Sequence, residues 1–509
     1  MTQETNSLLT GLIEGYDFES ECLELGAALI DGRPEPSAQV RLPLKMLNRH
    51  GLIAGATGTG KTVTLQTMAE QLSVAGVPVF LADIKGDLTG LAQSASASEK
   101  LTARLAELGH EFTPRTNPVE FLALGEGEGV PVRASVDAFG PILLARVLEL
   151  NETQEECLQL IFHYADSHQL PLDDLSDLKA VISFLLSEEG AEALKELGGV
   201  SSSTASVILR GITIMQTQGL DQFFGQPEFD TADFLQIRDG AGVINILELP
   251  SVSAQPMLFS TFLMWLLADL FEDLPEAGDL DKPKLVFFLD EAHLLFKDAT
   301  KAFTDAIINT VRLIRSKGVG LFFITQSPTD LPDEVLGQLG NRVQHAMRVF
   351  TAKDQSALKQ IIKTFPQGQL DLNEALTQAG VGEAVVTVLN EKGAPTPVAW
   401  TKMTSPGSNI GPASEQVMTQ VRGTSTLAGQ YAAAVDRDSA REMLEAKAAQ
   451  SAPAPAPVPE SAPQPRRQSA PQRRSPKEEN PMMDMAMDAA KVIGRELIRG
   501  FFGNRKRRR

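Results

Sequence analysis

The sequence predicts an α/β fold built on a mostly parallel sheet. Three observations carry that expectation. Short stretches that read as buried strands recur at residues 52–54, 77–82, 242–247, 285–289, 321–325 and 343–349. Stretches with apolar residues every three to four positions lie between them, and strands alternating with helices imply parallel pairing. One run also enters a glycine-rich turn that opens directly into a helical pattern.

The chain has 509 residues, enough for several domains, and 43% of them are hydrophobic, as in ordinary globular proteins. Its formal charge is -19, from 46 basic and 65 acidic residues, which argues against a surface that coats nucleic acid along its whole extent. The charge is uneven. Residues 465–509 hold 13 Lys/Arg against 5 Asp/Glu, a net of +8, which leaves the body at -27. Two cysteines, Cys22 and Cys157, give neither a disulfide framework nor a zinc spacing and fit a reducing cytoplasm. The start, Met1-Thr2-Gln3-Glu4, has no basic or apolar signal region, so a cytoplasmic location is expected. The most apolar stretch, 258–271, includes Trp265 and Asp269 and is short of the roughly 20 residues of a membrane span; it reads as a buried helix.

In chain order, residues 1–50 read as an N-terminal β-rich segment, with partial alternation from Leu23 onward and a turn at Gly32 and Pro34. Residues 51–135 form the first part of the core. The buried strand Leu52-Ile53-Ala54 leads into the glycine loop, and Val63, Met68 and Leu72 follow at helical spacing. A second strand covers 77–82, with Pro78 near its start where a missing N–H is tolerated. Gly125-Glu126-Gly127-Glu128-Gly129 between two apolar runs predicts a hairpin. Residues 136–235 read as an α-helical insertion, marked by Ile142, Leu143, Leu144, Val147, Leu148, Leu158, Leu160 and Ile161. Residues 236–405 return to the core and close with a hairpin around Glu391-Lys392-Gly393. Residues 406–450 read as a helical extension. Residues 451–481, rich in Pro, Ala, Ser, Gln and Arg, read as a disordered linker. Residues 482–509 read as a basic amphipathic helix: Met482, Ala486, Ala489, Ile493, Leu497 and Phe501 share a stripe that Lys491, Arg495 and Arg499 avoid.

Three strand ends carry chemistry. Gly55, Ala56, Thr57, Gly58, Thr59, Gly60, Lys61 and Thr62 match G-x-x-x-x-G-K-[ST]. The glycines permit tight turns and close backbone approach. With Val63 they form a cradle whose N–H groups, aided by the positive end of the following helix, face phosphate oxygens. Lys61 is expected on the β- and γ-phosphates and the Thr62 hydroxyl on Mg²⁺, so ATP and Mg²⁺ are the expected cofactors. The buried run 285–289 ends in Asp290 and Glu291. Asp290 would hold Mg²⁺ through water and Glu291 would polarise the attacking water. A strand ending in two carboxylates says little alone; a second nucleotide motif in the chain gives it weight. The run 321–325 ends in Gln326, placed to bond the γ-phosphate or that water. Arg315 closes a helix and Arg342 enters a strand; each is either a cation for phosphoryl transfer or an ordinary capping residue. Asp83-Ile84-Lys85-Gly86-Asp87 follows the second strand, where open α/β sheets form their crevice, and either shapes the site or is a plain loop.

Through these residues the chain resembles the HerA–FtsK superfamily, and within it the bacterial ATPases with a HerA-like helicase C-terminal domain. Residues 55–62, Asp290-Glu291, Arg315-Ser316-Lys317-Gly318, Ile324-Thr325-Gln326-Ser327-Pro328, the 83–87 segment and Phe224-Gly225-Gln226-Pro227 carry the likeness, over roughly residues 16–405. The resemblance implies a RecA-like P-loop NTPase core in a hexameric ring, with ATP between subunits. By position it implies Arg315 as a trans arginine finger, Gln326 as a sensor, Glu291 as the catalytic carboxylate and Arg342 as a second phosphate-sensing arginine. The expected function is an ATP-hydrolysing DNA translocase or helicase-like motor; the alternative is a nucleotide-switched regulatory or assembly ATPase. DNA, a partner protein or an anionic membrane surface are the expected partners, the last two through the basic tail.

Overall fold

The structure is a computed structural model that describes residues 3–451 except 126, 197–200, 250–255, 298–300 and 436. Its frame is one sheet in which twelve described strands take part. The first helix, α1 (Gln3–Gly15), is not foreseen in the sequence. It is anchored by tertiary contacts: Leu12 and Tyr16 are buried, and the Tyr16 hydroxyl lies 3.1 Å from Val386 O and 2.9 Å from Pro397 O. The strands β1 (Cys22–Ile30) and β2 (Arg33–Pro43) form an antiparallel hairpin turned at Asp31 and Gly32. The core begins with β3 (Gly51–Ala54), α2 (Lys61–Val74), β4 (Val79–Asp83), α3 (Glu99–Glu107), β5 (Val119–Ala123) and β6 (Val130–Pro131).

The helical segment follows as α4 (Val136–Val147), α5 (Glu152–Ser167), α6 (Leu175–Leu185), α7 (Ala191–Glu196) and α8 (Ser202–Thr217). Asn151 and Asp174 open α5 and α6 with capping boxes, which satisfy amides the helices cannot. A small ribbon, β7 (Ile237–Arg238) with β8 (Ala241–Gly242), leads back to the sheet. There the chain lays down β9 (Ile244–Glu248), α9 (Pro256–Asp273), β10 (Leu285–Leu289), α10 (His293–Phe296), α11 (Lys301–Ile314), β11 (Val319–Thr325), α12 (Asp333–Leu336) and β12 (Asn341–His345). It finishes with α13 (Ala352–Ile362), α14 (Leu372–Gln378), β13 (Glu383–Thr387), β14 (Ala399–Met403), α15 (Glu415–Thr424), α16 (Ala428–Tyr431) and α17 (Ala440–Ser451).

The sheet order is β2-β1-β14-β13-β12-β3-β11-β10-β4-β9-β5-β6. From β12 to β6 the pairing is parallel, and the β13-β14-β1-β2 end is antiparallel. The central parallel strands β3, β10 and β11 are almost wholly apolar because both faces are covered, whereas β12 is polar in sequence and still buries Asn341, Gln344 and His345. On β10 every residue is buried. Phe287 packs on one face, 5.0 Å from Phe80, with α9 and the helical segment; Phe288 packs on the other, 5.2 Å from Phe322, with α2.

The hairpin expected between Val119 and Ala134 is not there. Strand β6 runs parallel to β5, with Leu122 opposite Val130. The glycines serve a fold-back instead of a turn: a Cβ at Gly129 would lie 2.6 Å from the Leu122 carbonyl carbon, so only glycine lets the loop lie across the strand and restart in the same direction.

The last two helices, α16 and α17, lie over the helical segment, whereas α15 packs beside β5, with Arg422 paired to Glu248. Tyr431 is buried, stacks 4.6 Å from Phe229 and donates to Asp233 Oδ2 at 2.8 Å, and the Arg437 guanidinium pairs with Asp173. Among the described residues no helix is long and apolar enough to cross a membrane, and the apolar stretch 258–271 is the buried part of α9. Beyond Ser451 the expected linker (451–481), and all of the expected C-terminal helix (482–509), lie outside the described residues.

Candidate nucleotide site

Four neighbouring parallel strands, β3, β11, β10 and β4, end on one edge of the sheet, at Ala54, Thr325, Leu289 and Asp83. The loops that leave them line a single crevice, the usual ligand position in such sheets. The loop after β3 is stitched to its neighbours: the Gly55 N–H donates to Thr325 O at 3.3 Å and the Ala56 N–H to Ala346 O at 2.9 Å. Gly55 has φ +150°, and a Cβ there would fall 2.5 Å from His345 Cβ. Helix α2 then starts at Lys61, and no side chain caps it. Its first-turn amides therefore keep N–H groups without intrahelical partners, at the positive end of the helix dipole. Thr57 and Gly58 are exposed at the rim, Thr62 and Val63 are half-buried, and the Thr59 hydroxyl donates to Ala56 O at 2.7 Å.

Lys61 is buried and folds back on its own loop, with Nζ 2.7 Å from Gly55 O and 3.2 Å from Ala56 O. Burial lowers its pKa and the Lys85 charge adds to that, while Glu291 and Asp290 oppose it. Behind the loop stands His345, buried, with Nε2 3.0 Å from Thr64 Oγ1 and Nδ1 2.9 Å from Glu383 O. Burial pushes its pKa down to about 4 against the bond to Glu383 O, and the nearby Lys61 charge pushes the same way.

Strand β10 delivers Asp290 and Glu291, only 4% and 8% exposed. Glu291 sits at φ +46°, a left-handed conformation that costs a β-carbon-bearing residue about 1–3 kcal/mol and that the Ala292 N–H bond to Ile324 O, 2.8 Å, holds in place. Lys85 Nζ lies 2.6 Å from Glu291 Oε1 and 3.3 Å from Asp290 Oδ2. Burial raises the Asp290 pKa, with Lys85 opposing. Burial pushes Glu291 the same way, but the Lys85 bond and charge, with His293 and Lys61, outweigh it and hold Glu291 below the usual range. His293 Nδ1 is 3.2 Å from Glu291 Oε2 but off hydrogen-bond geometry, so both atoms are buried without a hydrogen bond. The turn carrying Lys85 is fixed by Asp83, whose Oδ1 accepts from the Gly86 N–H (2.7 Å) and Oδ2 from the Leu88 N–H (2.9 Å). Burial raises the Asp83 pKa to about 6 against those two bonds.

Among the described residues no group of three or more His, Cys, Asp or Glu is placed to hold a metal alone. Mg²⁺ keeps waters and takes one or two carboxylates plus phosphate oxygens. The chemistry present fits it: a buried carboxylate, Asp290, already engaged with a cation, opposite an uncapped helix end that carries Thr62.

The structure thus brings residues 55–63, Asp290, Glu291 and, exposed just past β11, Gln326 to one edge. It does not bring Arg315 or Arg342 there. Arg315 is exposed in the 3-10 turn before β11, at the opposite end of the strand from Gln326. Arg342 lies at the start of β12, its guanidinium 3.3 Å from Leu339 O, 3.4 Å from Leu336 O and 3.1 Å from Thr364 O. Sequence reasoning does not reach two residues, His345 and Arg348, whose guanidinium lies 3.5 Å from Thr57 O, and it marks Lys85 only as part of the 83–87 segment without giving the lysine a role. Only Lys85 has a local signal, its place after a buried strand.

A phosphate-cradling loop between a strand and a helix, beside a carboxylate pair on a parallel sheet, defines a P-loop nucleotide-binding core of the RecA-like class. The chain belongs to the helicase HerA-like C-terminal family, whose model matches residues 29–509. It is 22% identical over 366 residues to the DNA double-strand break repair helicase HerA of Sulfolobus acidocaldarius, covering 69% of this chain and 64% of that protein. To the protein of the same name from Sulfurisphaera tokodaii it is 23% identical over 361 residues, covering 68% and 64%. The chain thus spans less than two thirds of the length of these relatives. Among solved structures, the bacterial conjugative coupling protein TrwBdeltaN70 shares the fold at a TM-score of 0.51 and 14% identity, over 79% of this chain and 92% of that one. The plasmid coupling protein TrwB in complex with a non-hydrolysable GTP analogue gives 0.50 at 15% identity, over 78% and 98%.

Proposed function

We propose that the chain binds ATP with Mg²⁺ in this crevice and hydrolyses it to ADP and phosphate, as a cytoplasmic ring motor that moves DNA. The observation that carries the reading is the convergence of the loop 55–62 and the Asp290-Glu291 pair on one sheet edge, with Glu291 held ionised. Lys61 would exchange the carbonyls of Gly55 and Ala56 for the β- and γ-phosphates, and the α2 amides would take the remaining oxygens. Magnesium, when bound by Thr62 and Asp290, would neutralise charge on the phosphates. Glu291 would accept a proton from the attacking water, which Gln326 would orient.

DNA as the substrate and a hexamer as the assembly rest on the family. The HerA relatives are named as DNA repair helicases, and TrwB as a coupling protein bound to a nucleotide analogue. The position of Arg315 supports the ring: on the far side of the sheet from its own crevice, it would serve the nucleotide of a neighbouring copy. Arg342, bonded to three carbonyls, serves the fold as seen and would reach phosphate only after giving those bonds up. The test is the ATPase rate of the full chain alone and with double-stranded DNA, single-stranded DNA and RNA. Stimulation by DNA is expected. Hydrolysis without stimulation, together with no DNA binding at low salt, would replace the motor by a nucleotide-switched regulator.

A further inference from the structure

Two lysines face the carboxylate pair, and they behave differently. Lys61, from the loop after β3, bonds only backbone oxygens. Lys85, from the turn after β4, bonds both carboxylates, at 2.6 Å to Glu291 Oε1 and 3.3 Å to Asp290 Oδ2. Its backbone is not free to wander, because the fully buried Asp83 clamps the amides of Gly86 and Leu88 on its C-terminal side. Its side chain is 40% exposed, so the ammonium has a solvent path away from the pair. The two carboxylates have none comparable, at 5% and 10% side-chain exposure.

This arrangement conflicts with the chemistry proposed for the crevice. A carboxylate oxygen in a charge-assisted hydrogen bond to an ammonium is a poor acceptor for a water proton. Glu291 Oε2 is buried without a hydrogen bond, so Oε1 and its lysine hold the group in place. At Asp290 the same ammonium occupies an oxygen that a divalent cation or its water shell would use.

We propose that Lys85 is a placeholder cation. It holds Asp290 and Glu291 in position before nucleotide arrives, and it must leave both when metal and nucleotide bind. It is a positioning residue that sets the metal concentration at which the site loads. The inference rests on the nucleotide reading of the crevice.

The experiment is an Mg²⁺ titration of a fluorescent ADP analogue bound to the full chain, for wild type, Lys85→Met and Lys85→Arg. Melting temperature without ligand checks the fold, and Lys85→Gln replaces Lys85→Met should the latter not fold. An opposite charge this close commonly shifts ion binding by about 1–3 log units, so Lys85→Met is expected to lower the half-saturating Mg²⁺ concentration roughly tenfold. Lys85→Arg, which keeps the charge, is expected to stay near wild type. A lysine that merely supports the turn would not move this midpoint. A Lys85→Met curve overlaying that of wild type, while both bind nucleotide, overturns the placeholder role and leaves the nucleotide reading intact. A wild type that binds no nucleotide at any Mg²⁺ concentration overturns both.

Discussion

His345 Nε2 lies 3.0 Å from Thr64 Oγ1, which ties the strand beside the phosphate loop to the helix that follows the loop. The other ring nitrogen lies 2.9 Å from Glu383 O, an obligate acceptor. Nδ1 therefore carries the proton and Nε2 accepts from the threonine, a neutral ring with both nitrogens used. His50 is built the same way: Nε2 donates to Val311 O at 2.7 Å and Nδ1 accepts from the Leu321 N–H at 3.1 Å.

Acid should loosen the fold through these two rings. Burial takes both pKa values from 6.5 to about 4. The unfolded chain then binds more protons between those values, so the contribution is complete above about pH 6.5 and is lost as pH falls toward 4. Asp83, raised to about 6, works in the opposite sense and gains stability as pH falls below 6. We expect His345→Gln to shrink the stability difference between pH 7.5 and pH 5 by about 2 kcal/mol, read from urea midpoints. An unchanged difference would show that the His345 ring is not held neutral.

Binding and hydrolysis should separate by residue. Lys61→Ala removes the one cation of the phosphate loop and is expected to lose nucleotide binding or turnover. Glu291→Gln keeps the shape of the strand end, so it is expected to keep binding, lose hydrolysis by roughly 10²-fold or more, and trap ATP. Equal turnover by Glu291→Gln and wild type would remove Glu291 from the mechanism.

The loop geometry predicts a contrast between two of its glycines. A methyl at Gly55 would meet His345 Cβ at 2.5 Å, so Gly55→Ala must shift the loop or the strand, costing about 1–3 kcal/mol and nucleotide binding with it. Gly58 has φ +77°, but a methyl added there would have nothing within 4 Å, so Gly58→Ala is expected to cost only about 1–2 kcal/mol of backbone strain. Similar nucleotide affinities for the two variants would contradict this reading of the loop.

What is legible in the sequence is local. The loop 55–62 and the Asp290-Glu291 pair are each contiguous and follow an apolar run, so pattern alone finds them. Strands β3, β10 and β11 are legible because two-sided burial makes them almost wholly apolar. His345 is invisible because its partner Thr64 is 281 residues away and a single histidine carries no pattern. Lys85 stands in a segment that pattern singles out, but its bond to Glu291 depends on β4 and β10 being neighbours, which the order of runs does not state. The fold-back at Gly129 looks like a hairpin because both use a glycine run between apolar segments. Helix α1 escapes notice because what anchors it, the Tyr16 hydroxyl against Val386 and Pro397, lies 370 and 381 residues away.

Arg315 gives the sharpest test of assembly. It stands before the first residue of β11, while Gln326 stands after the last, and the 7 residues of that strand span about 20 Å. Arg315 therefore cannot serve the crevice of its own chain without taking the sheet apart. If it serves the next copy, Arg315→Ala should bind nucleotide normally and fail to hydrolyse it. It should also be rescued by mixing with Lys61→Ala, because each defective chain supplies what the other lacks. In randomly mixed rings from equal parts, about a quarter of interfaces would pair an intact Lys61 with an intact Arg315, so about a quarter of wild-type turnover should return. ATPase assays on the two variants, separately and mixed, measure this. Wild-type turnover by Arg315→Ala alone, or no recovery in the mixture, would make each crevice self-sufficient and withdraw the shared site.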